Sequence, residues 1–273
     1  MKAKTVRTME ELMKSVYLEE FMKNVTQKSK HIERTVSIYF RSSDNFAENK
    51  SRWNQIQKKI SPDVNEQSFE DAMAKYRLTE LRQVTSAIFV IGEDVLVYTS
   101  PHLEIDNDEV TVGSTPQLER LEALSVKFPT SLVLDVDYES ITVFFVDDRG
   151  IEDITEEFGD LTLQSYLGSE FRIGKSNHVS VGNKAVAVHG HNPAKEIKKN
   201  DQIRFYQGAS PDIVRFIDDN YKGIPVILGG ASQNISTFSD AVGKNLLQKL
   251  NDKKIDGHFN AKNEIYEAYQ NLF

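Results

Sequence analysis

Apolar and polar residues recur with two different periods in the first half of the chain, which predicts both helices and strands. Apolar residues spaced three or four positions apart predict helices over residues 8–23, 46–60, 66–83 and 116–125. Short β-branched and aromatic runs predict strands over residues 35–40, 87–91, 95–99 and 110–113. We expect a hairpin at Gly92-Glu93-Asp94, between the second and third of these strands, and we expect the fourth strand to lie at a sheet edge.

The second half combines the same two periods, with strands that are more densely apolar. Strands are predicted over residues 131–137 and 141–146, as a hairpin at the centre of a sheet, and over residues 224–230 and 254–259. Residues 171–188 are rich in Gly, Ser and Asn, which predicts a loop or irregular edge structure, and a basic helix follows. We expect Gly208 and Ser210-Pro211 to break or kink that helix. A helix over 232–250 and a last helix capped by Asn260 complete the prediction.

The order of these elements predicts an α/β fold in two domains. A strand, a glycine turn and a returning helix at residues 224–250 are typical of α/β proteins. The chain has 273 residues and 39% hydrophobic content, enough for two ordinary cores. We therefore predict two α/β domains, residues 1–128 and 129–273, with mixed sheets and helices on both faces.

Composition excludes several classes of chemistry. The sequence has no cysteine, so disulfides, thiolate metal sites and cysteine nucleophiles are absent. Residues 1–30 are charged and lack the apolar core of a signal peptide, and apolar runs such as 86–91 are too short to cross a bilayer. A cytoplasmic protein that does not enter membranes is the simplest expectation.

One segment departs from the overall charge of the chain. The formal net charge is −8 and the pI is near 5.4, yet a polar His189-Gly190-His191-Asn192-Pro193 loop leads into a basic helix. Residues 184–204 contain five cationic residues and only two acidic ones, Glu196 and Asp201. The cationic residues are Lys184, Lys195, Lys198, Lys199 and Arg204. Such a patch on an acidic protein indicates either contact with RNA phosphates or simply a solvated helix face.

The order of motifs in the second domain resembles a known family. Arg204-Phe205 lies in the basic helix, Leu228-Gly229-Gly230 ends a strand about 25 residues later, and a last strand and helix span Gly257 to Tyr269. This arrangement resembles the middle domain of archaeo-eukaryotic class I peptide-chain release factors. The whole chain is more similar still to bacterial relatives of those factors, which have an α/β domain ahead of the middle domain.

The resemblance implies a translation or ribosome-rescue factor that associates with the ribosome or with tRNA and needs no cofactor or metal; no DNA partner is expected. In the release factors, a Gly-Gly-Gln tip promotes hydrolysis of peptidyl-tRNA, with glycines allowing close approach of the backbone to RNA and the amide orienting water. That tripeptide is absent here. Counting back from Arg204-Phe205, its place falls on Lys198-Lys199-Asn200, whereas composition favours Gly190-His191-Asn192. The resemblance therefore implies binding without requiring hydrolysis.

Two enzymatic alternatives stay open. A hydrolase of peptidyl-tRNA or a related ester would use Asn200 or Asn192 to orient water, or His189 or His191 as a general base. A metal-dependent nuclease would instead combine those two histidines with a carboxylate pair, Asp135 and Asp137, which share one face of an extended strand.

Overall fold

The computed structural model describes residues 17–168 and 193–273. The chain divides into two compact units by internal contacts. The first runs to Thr130 and also includes Asp147–Gly150 and Phe273, and the second consists of Ser131–Val146 and Ile151–Leu272. Each unit contains one β-sheet, so the fold is a mixed α/β fold with two sheets. None of the helices in the described ranges is long and apolar enough to cross a membrane.

The first unit is built on an antiparallel sheet of four strands. Its described elements are α1 (Leu18–Ser29), β1 (Thr35–Arg41), α2 (Phe46–Ile60), α3 (Glu66–Tyr76), β2 (Thr85–Ile91), β3 (Asp94–Ser100), β4 (Glu109–Gly113) and α4 (Glu119–Lys127). The strand order is β3-β2-β1-β4, and all three neighbouring pairs are antiparallel. The hairpin of β2 and β3 and the edge position of β4 agree with the sequence pattern.

Helices cover both faces of this sheet because its central strands bury side chains in both directions. On one face, Tyr39 and Phe89 pack with residues of α1 and α4. On the other, Ile38 packs with residues of α2 and α3, including Trp53, whose ring stacks on Phe69 at a centroid distance of 5.3 Å. Because helices cover both faces, β1 and β2 bury the side chain at almost every position, including those of the polar residues Thr35 and Ser37.

The second unit is built on a mixed sheet of five strands. Its described elements are β5 (Ser131–Val136), β6 (Ile141–Asp147), β7 (Gly150–Asp153), α5 (Thr155–Phe158), α6 (Leu163–Leu167), α7 (Pro193–Asn220), β8 (Val226–Gly230), α8 (Ser232–Ala241), α9 (Lys244–Leu247), β9 (Leu250–Asp256) and α10 (Lys262–Gln270). The strand order is β7-β6-β5-β8-β9, with β5 antiparallel to β6 and parallel to β8, and β8 parallel to β9. Strand β5 is central, as its apolar density indicated.

Helices also cover both faces of the second sheet. Leu132 and Leu134 of β5 face α7 and α8, whereas Val133 faces α10. The long helix α7 contributes Phe205 and Ile213 to the first of these two cores, and both residues are completely buried. One side of α7 is therefore held firmly against the sheet.

Of the expected break or kink in the basic helix, the break is wrong, because α7 is continuous over 28 residues with Pro211 inside it. Burial of apolar residues on both sides of Pro211, including Ala209 and Ile213, stabilises the helix against the loss of one backbone hydrogen bond. Gly208 has a packing role instead. A Cβ at that position would lie 3.0 Å from the ring of Tyr166, so the absence of a side chain allows α6 to approach α7.

Several predicted helix ends also differ, because contacts distant in sequence determine them. The helix predicted from residue 116 begins at Glu119, since the backbone of Gln117 bonds to the side chains of Ser37 and Tyr39. The helix predicted to reach residue 83 ends at Tyr76, where Arg77 adopts a left-handed conformation.

The ends near the C-terminus shift in the same way. The helix predicted over 232–250 ends at Ala241, and a strand predicted from residue 254 already begins at Leu250. The last helix has Ala261 rather than Asn260 as its N-cap, and the backbone N–H of Asn260 donates to Glu264 instead. The first helix continues to Ser29, beyond the predicted end at residue 23, while residues 8–16 and the predicted loop at 171–188 lie outside the described ranges.

Candidate functional site: the exposed end of helix α7

The N-terminal end of α7 extends beyond the core of the second unit. Helix α7 is about 42 Å long at 1.5 Å per residue, whereas the five residues of β8 span only about 17 Å. Residues 196–200 are all exposed, and burial begins only at Asp201 and Gln202. A helix lying on a sheet buries every third or fourth residue, so five consecutive exposed positions show that residues 196–200 lie beyond the part of α7 that is packed on the sheet. We call Pro193–Asn200 the tip.

The tip lies at the carboxyl edge of the parallel strands. The hydroxyl of Tyr206 donates to the backbone oxygen of Asp137, directly after β5, over 2.8 Å. The amide of Gln202 donates to Asn234 in the first turn of α8, directly after β8, over 3.0 Å. Helix α7 therefore runs antiparallel to β5 and β8, and its tip extends outward beyond the carboxyl ends of these strands.

The tip presents two of the predicted RNA-binding lysines to solvent. Lys198 and Lys199 are exposed, and neither forms an ion pair with another residue in the described ranges. Lys195 lies in the same helix, and Lys184 is outside the described residues. Arg204 follows the tip by one turn, with a half-exposed side chain whose guanidinium lies 3.8 Å from the carboxylate of Asp201.

Of the predicted amide and histidine candidates, only Asn200 falls in the described part of the chain. It is exposed on the tip, in the same helix as Lys198 and Lys199. The tripeptide that corresponds by position to Gly-Gly-Gln is therefore helical, and its backbone N–H groups bond within the helix rather than facing a partner. His189, His191 and Asn192 lie outside the described residues.

Two glycines end β8 at the base of the tip, and the second lies against the backbone of β5. Gly229 pairs with Asp135, and Gly230 has a φ of +126°. A Cβ on Gly230 would lie 2.5 Å from the backbone oxygen of Val136, a distance that no side chain tolerates. This close approach gives a structural reason for the Leu228-Gly229-Gly230 motif.

Carboxylates surround that glycine turn. Asp135 is half-buried on β5, and burial, with a smaller contribution from the charge of Asp137, raises the pKa of its carboxyl to about 6, against an opposing effect of His258. Asp137 is exposed and accepts a hydrogen bond from the side-chain amide of Asn234 over 3.0 Å. Asp256 accepts a hydrogen bond from Ser232 on the other side of the turn.

These carboxylates do not form a recognisable metal centre. Over residues 17–168 and 193–273, no group of three or more His, Cys, Asp or Glu side chains is placed to hold a metal ion. The structure brings Asp135 and Asp137 together, as the strand pattern predicted, and the two histidines of the nuclease hypothesis are outside the described residues. Asp135 can exchange a proton near neutral pH, but it does so without a described metal partner.

Sequence reasoning missed the hydrogen bonds that join the base of the tip to the sheet. Gln202 and Tyr206 stand four residues apart on one face of α7, and both are buried. They connect to Asp137 and Asn234 through a closed set of four hydrogen bonds. The available signal was a glutamine, Gln202, on the same helix face as the apolar residues Phe205 and Ala209. A glutamine on a buried face requires hydrogen-bond partners.

Comparisons with known proteins give only weak similarities. No protein-family model and no curated protein matches the chain. Among solved structures, it is similar to an archaeal translation termination factor, aRF1, with a TM-score of 0.32 at 11% identity, covering 94% of this chain and 73% of that one. A structure described only as an archaeal protein superposes with a TM-score of 0.33 at 12% identity, covering 93% and 69%. The Pelota protein of Thermoplasma acidophilum gives 0.33 at 8% identity, covering 92% and 60%. The superpositions are weak, so the α/β fold class rests on the sheets and helices described above.

Proposed function

We propose that this protein is a release-factor-like translation or rescue factor that associates with the ribosome or tRNA and binds RNA through the tip of α7. The observation that carries the proposal is the exposed cationic tip, in which Lys198 and Lys199 lie within five consecutive exposed residues of an otherwise acidic chain. The motif order around Arg204-Phe205 and Leu228-Gly229-Gly230 supports the same family of functions.

Charge at the base of the tip restricts how RNA can bind. Lys198 and Lys199 attract phosphates, whereas the exposed carboxylates of Asp137, Glu139 and Asp256 at the base repel them. A nucleic-acid backbone lying along the whole edge would meet both signs of charge. Contact confined to the end of the helix avoids the acidic base, which favours a partner that receives the tip over one that lies across the sheet edge.

Hydrolysis is not required by this proposal. The Gly-Gly-Gln tripeptide is absent, and the residues at its expected position are helical. A binding role needs only exposed charge in a fixed direction, and the tip has both lysines on a helix anchored to a sheet.

The proposal is tested by reversing the charge of the tip. A variant carrying Lys195→Glu, Lys198→Glu and Lys199→Glu is compared with wild type for co-sedimentation with ribosomes at low salt. The matched control is Lys222→Glu, Lys244→Glu and Lys262→Glu, three exposed lysines of the second unit that are not part of the tip and change the net charge by the same amount. We expect the tip variant to lose co-sedimentation and the control variant to retain most of it. Equal binding by wild type and tip variant, or no binding by wild type, would show that the proposal is wrong.

A further inference from the structure

A closed ring of hydrogen bonds holds the base of the tip. The side-chain amide of Gln202 donates to the hydroxyl of Tyr206 over 2.9 Å and to Oδ1 of Asn234 over 3.0 Å. The hydroxyl of Tyr206 donates to the backbone oxygen of Asp137 over 2.8 Å, and the amide of Asn234 donates to Oδ1 of Asp137 over 3.0 Å. We call these four residues the polar ring. It joins α7, the end of β5 and the first turn of α8.

The α7 side of the polar ring is buried, and its hydrogen bonds restrict direction. Tyr206 is completely buried and Gln202 is 5% exposed. Both N–H groups of the Gln202 amide are used, and the Tyr206 hydroxyl accepts one bond while donating another. Because a buried amide that loses its partners is costly, these groups hold one arrangement rather than several.

The position of the ring matters because the ring lies where α7 leaves the sheet. Gln202 follows the last tip residue, Asn200, by two positions, and it is among the first buried residues of α7. Further along, Phe205 and Ala209 hold α7 against the sheet through apolar contacts. Hydrogen bonds weaken steeply as their angles change, so the ring adds a directional restraint at the point where the packed part of the helix ends. The tip extends about 13 Å beyond Gln202, so a tilt of roughly 20° at the base would move its end by about 5 Å.

We propose that Gln202, Tyr206 and Asn234 are positioning residues that fix the direction of the tip relative to the sheet of the second unit. The proposal about direction stands on the geometry alone. Its consequence for ribosome binding rests on the proposed function. A tip held in one direction pays less conformational entropy on entering a partner, so loosening the ring weakens binding although every lysine remains.

The absence of cysteine allows a direct test with paired spin labels. Cysteines replace two exposed residues of the second unit, Glu196→Cys on the tip and Lys244→Cys on α9, and the distribution of distances between the labels is measured in the free protein. The pair is introduced into wild type, Gln202→Met, Tyr206→Phe and Asn234→Ala. The matched control is Tyr221→Phe, which removes a hydroxyl that donates to Glu157 at the opposite end of α7.

We expect a narrow distribution in the parent and in the Tyr221→Phe control, and a distribution about twofold broader in the three ring variants. Circular dichroism identifies variants that remain folded. Tyr206→Phe nearly preserves the volume of the side chain, and Asn234→Ala changes a residue that is only partly buried. Both variants therefore remain informative if Gln202→Met unfolds. Unchanged widths in the folded ring variants, or equal broadening in the control, would overturn the positioning role.

Ribosome binding by the same variants is the second test of the proposal. Where wild type co-sediments, folded ring variants without labels should bind about three to ten times more weakly, while the Tyr221→Phe control should bind normally. Ring variants that show broad distances yet bind as tightly as wild type would refute the functional consequence. If wild type does not bind ribosomes at all, the proposed function fails, but the label distances still decide whether the ring sets the direction of the tip.

Discussion

At the scale of single residues, a glycine and a partly buried carboxylate determine the local structure at the carboxyl edge of the second sheet. Gly230 has a backbone conformation that L residues rarely adopt, and it touches the backbone of β5. Asp135 stands beside the same turn, half-buried and close to a second carboxylate. Both residues lie at the base of the tip, so both can be tested through stability independently of any partner.

Replacing Gly230 by alanine should destabilise the second unit strongly. The new Cβ would collide with the backbone oxygen of Val136, and the φ of +126° adds strain, for a total cost of about 3 kcal/mol. Urea denaturation measures the change. Gly243→Ala is the matched control, because Gly243 has a φ of −70° and its Cβ would meet nothing within 4 Å. A Gly230→Ala variant as stable as the control would contradict the close approach of β8 to β5.

Asp135 should give stability an acid-dependent component. Its folded pKa of about 6 exceeds the ordinary aspartate value of 3.8, so the folded state binds the proton more tightly than the unfolded state does. The buried carboxylate therefore lowers the free energy of unfolding. This loss is absent below about pH 4, grows as the pH rises from 4 to 6, and stays constant above pH 6. Asp135→Asn should stabilise the protein by about 1 kcal/mol at pH 7 and by nothing at pH 4.

Denaturation of wild type and Asp135→Asn across this pH range checks the prediction. The comparison must be a difference between the two proteins, because burial also raises the pKa of Asp148 to about 6. A difference in stability that does not change between pH 4 and pH 7 would contradict the environment described for Asp135.

At the scale of elements, the strands could be predicted from sequence better than the helix ends. The apolar runs of β1, β5 and β8 are buried on both sides, so their pattern is strong and local. Helix ends depend on distant partners, as when the hydroxyl of Ser37 holds Gln117 outside α4. The same reason hid the polar ring. Asn234 and Asp137 are 97 positions apart, and no local periodicity connects them.

Helix α7 should become more stable when its internal proline is removed. Pro211 lacks the N–H that would complete the helical ladder, and the helix persists because its flanking residues are buried. Pro211→Ala restores the donor and should raise the free energy of unfolding by about 1 kcal/mol, net of the greater entropy of the unfolded chain. Thermal denaturation measures this gain, and a lower melting temperature would mean that Pro211 contributes packing that its alanine replacement loses.

At the scale of the whole molecule, charge is separated rather than uniform. The chain carries −8 overall, yet the tip presents adjacent lysines that lie beyond an acidic edge. Sequence alone located this basic helix, because like charges close together are visible without a structure. It did not reveal that the helix projects from the sheet, since that follows from where burial begins at Asp201 and Gln202.

Ribosome co-sedimentation of the tip charge-reversal variant tests the central claim most directly. The account predicts that wild type co-sediments at low salt and is released as salt rises, since phosphate contacts displace counterions. It also predicts that reversing Lys195, Lys198 and Lys199 abolishes co-sedimentation, while the control with Lys222, Lys244 and Lys262 reversed retains it. Undiminished binding by the tip variant, or equal loss in both variants, would contradict the claim that the tip of α7 is the RNA-binding surface.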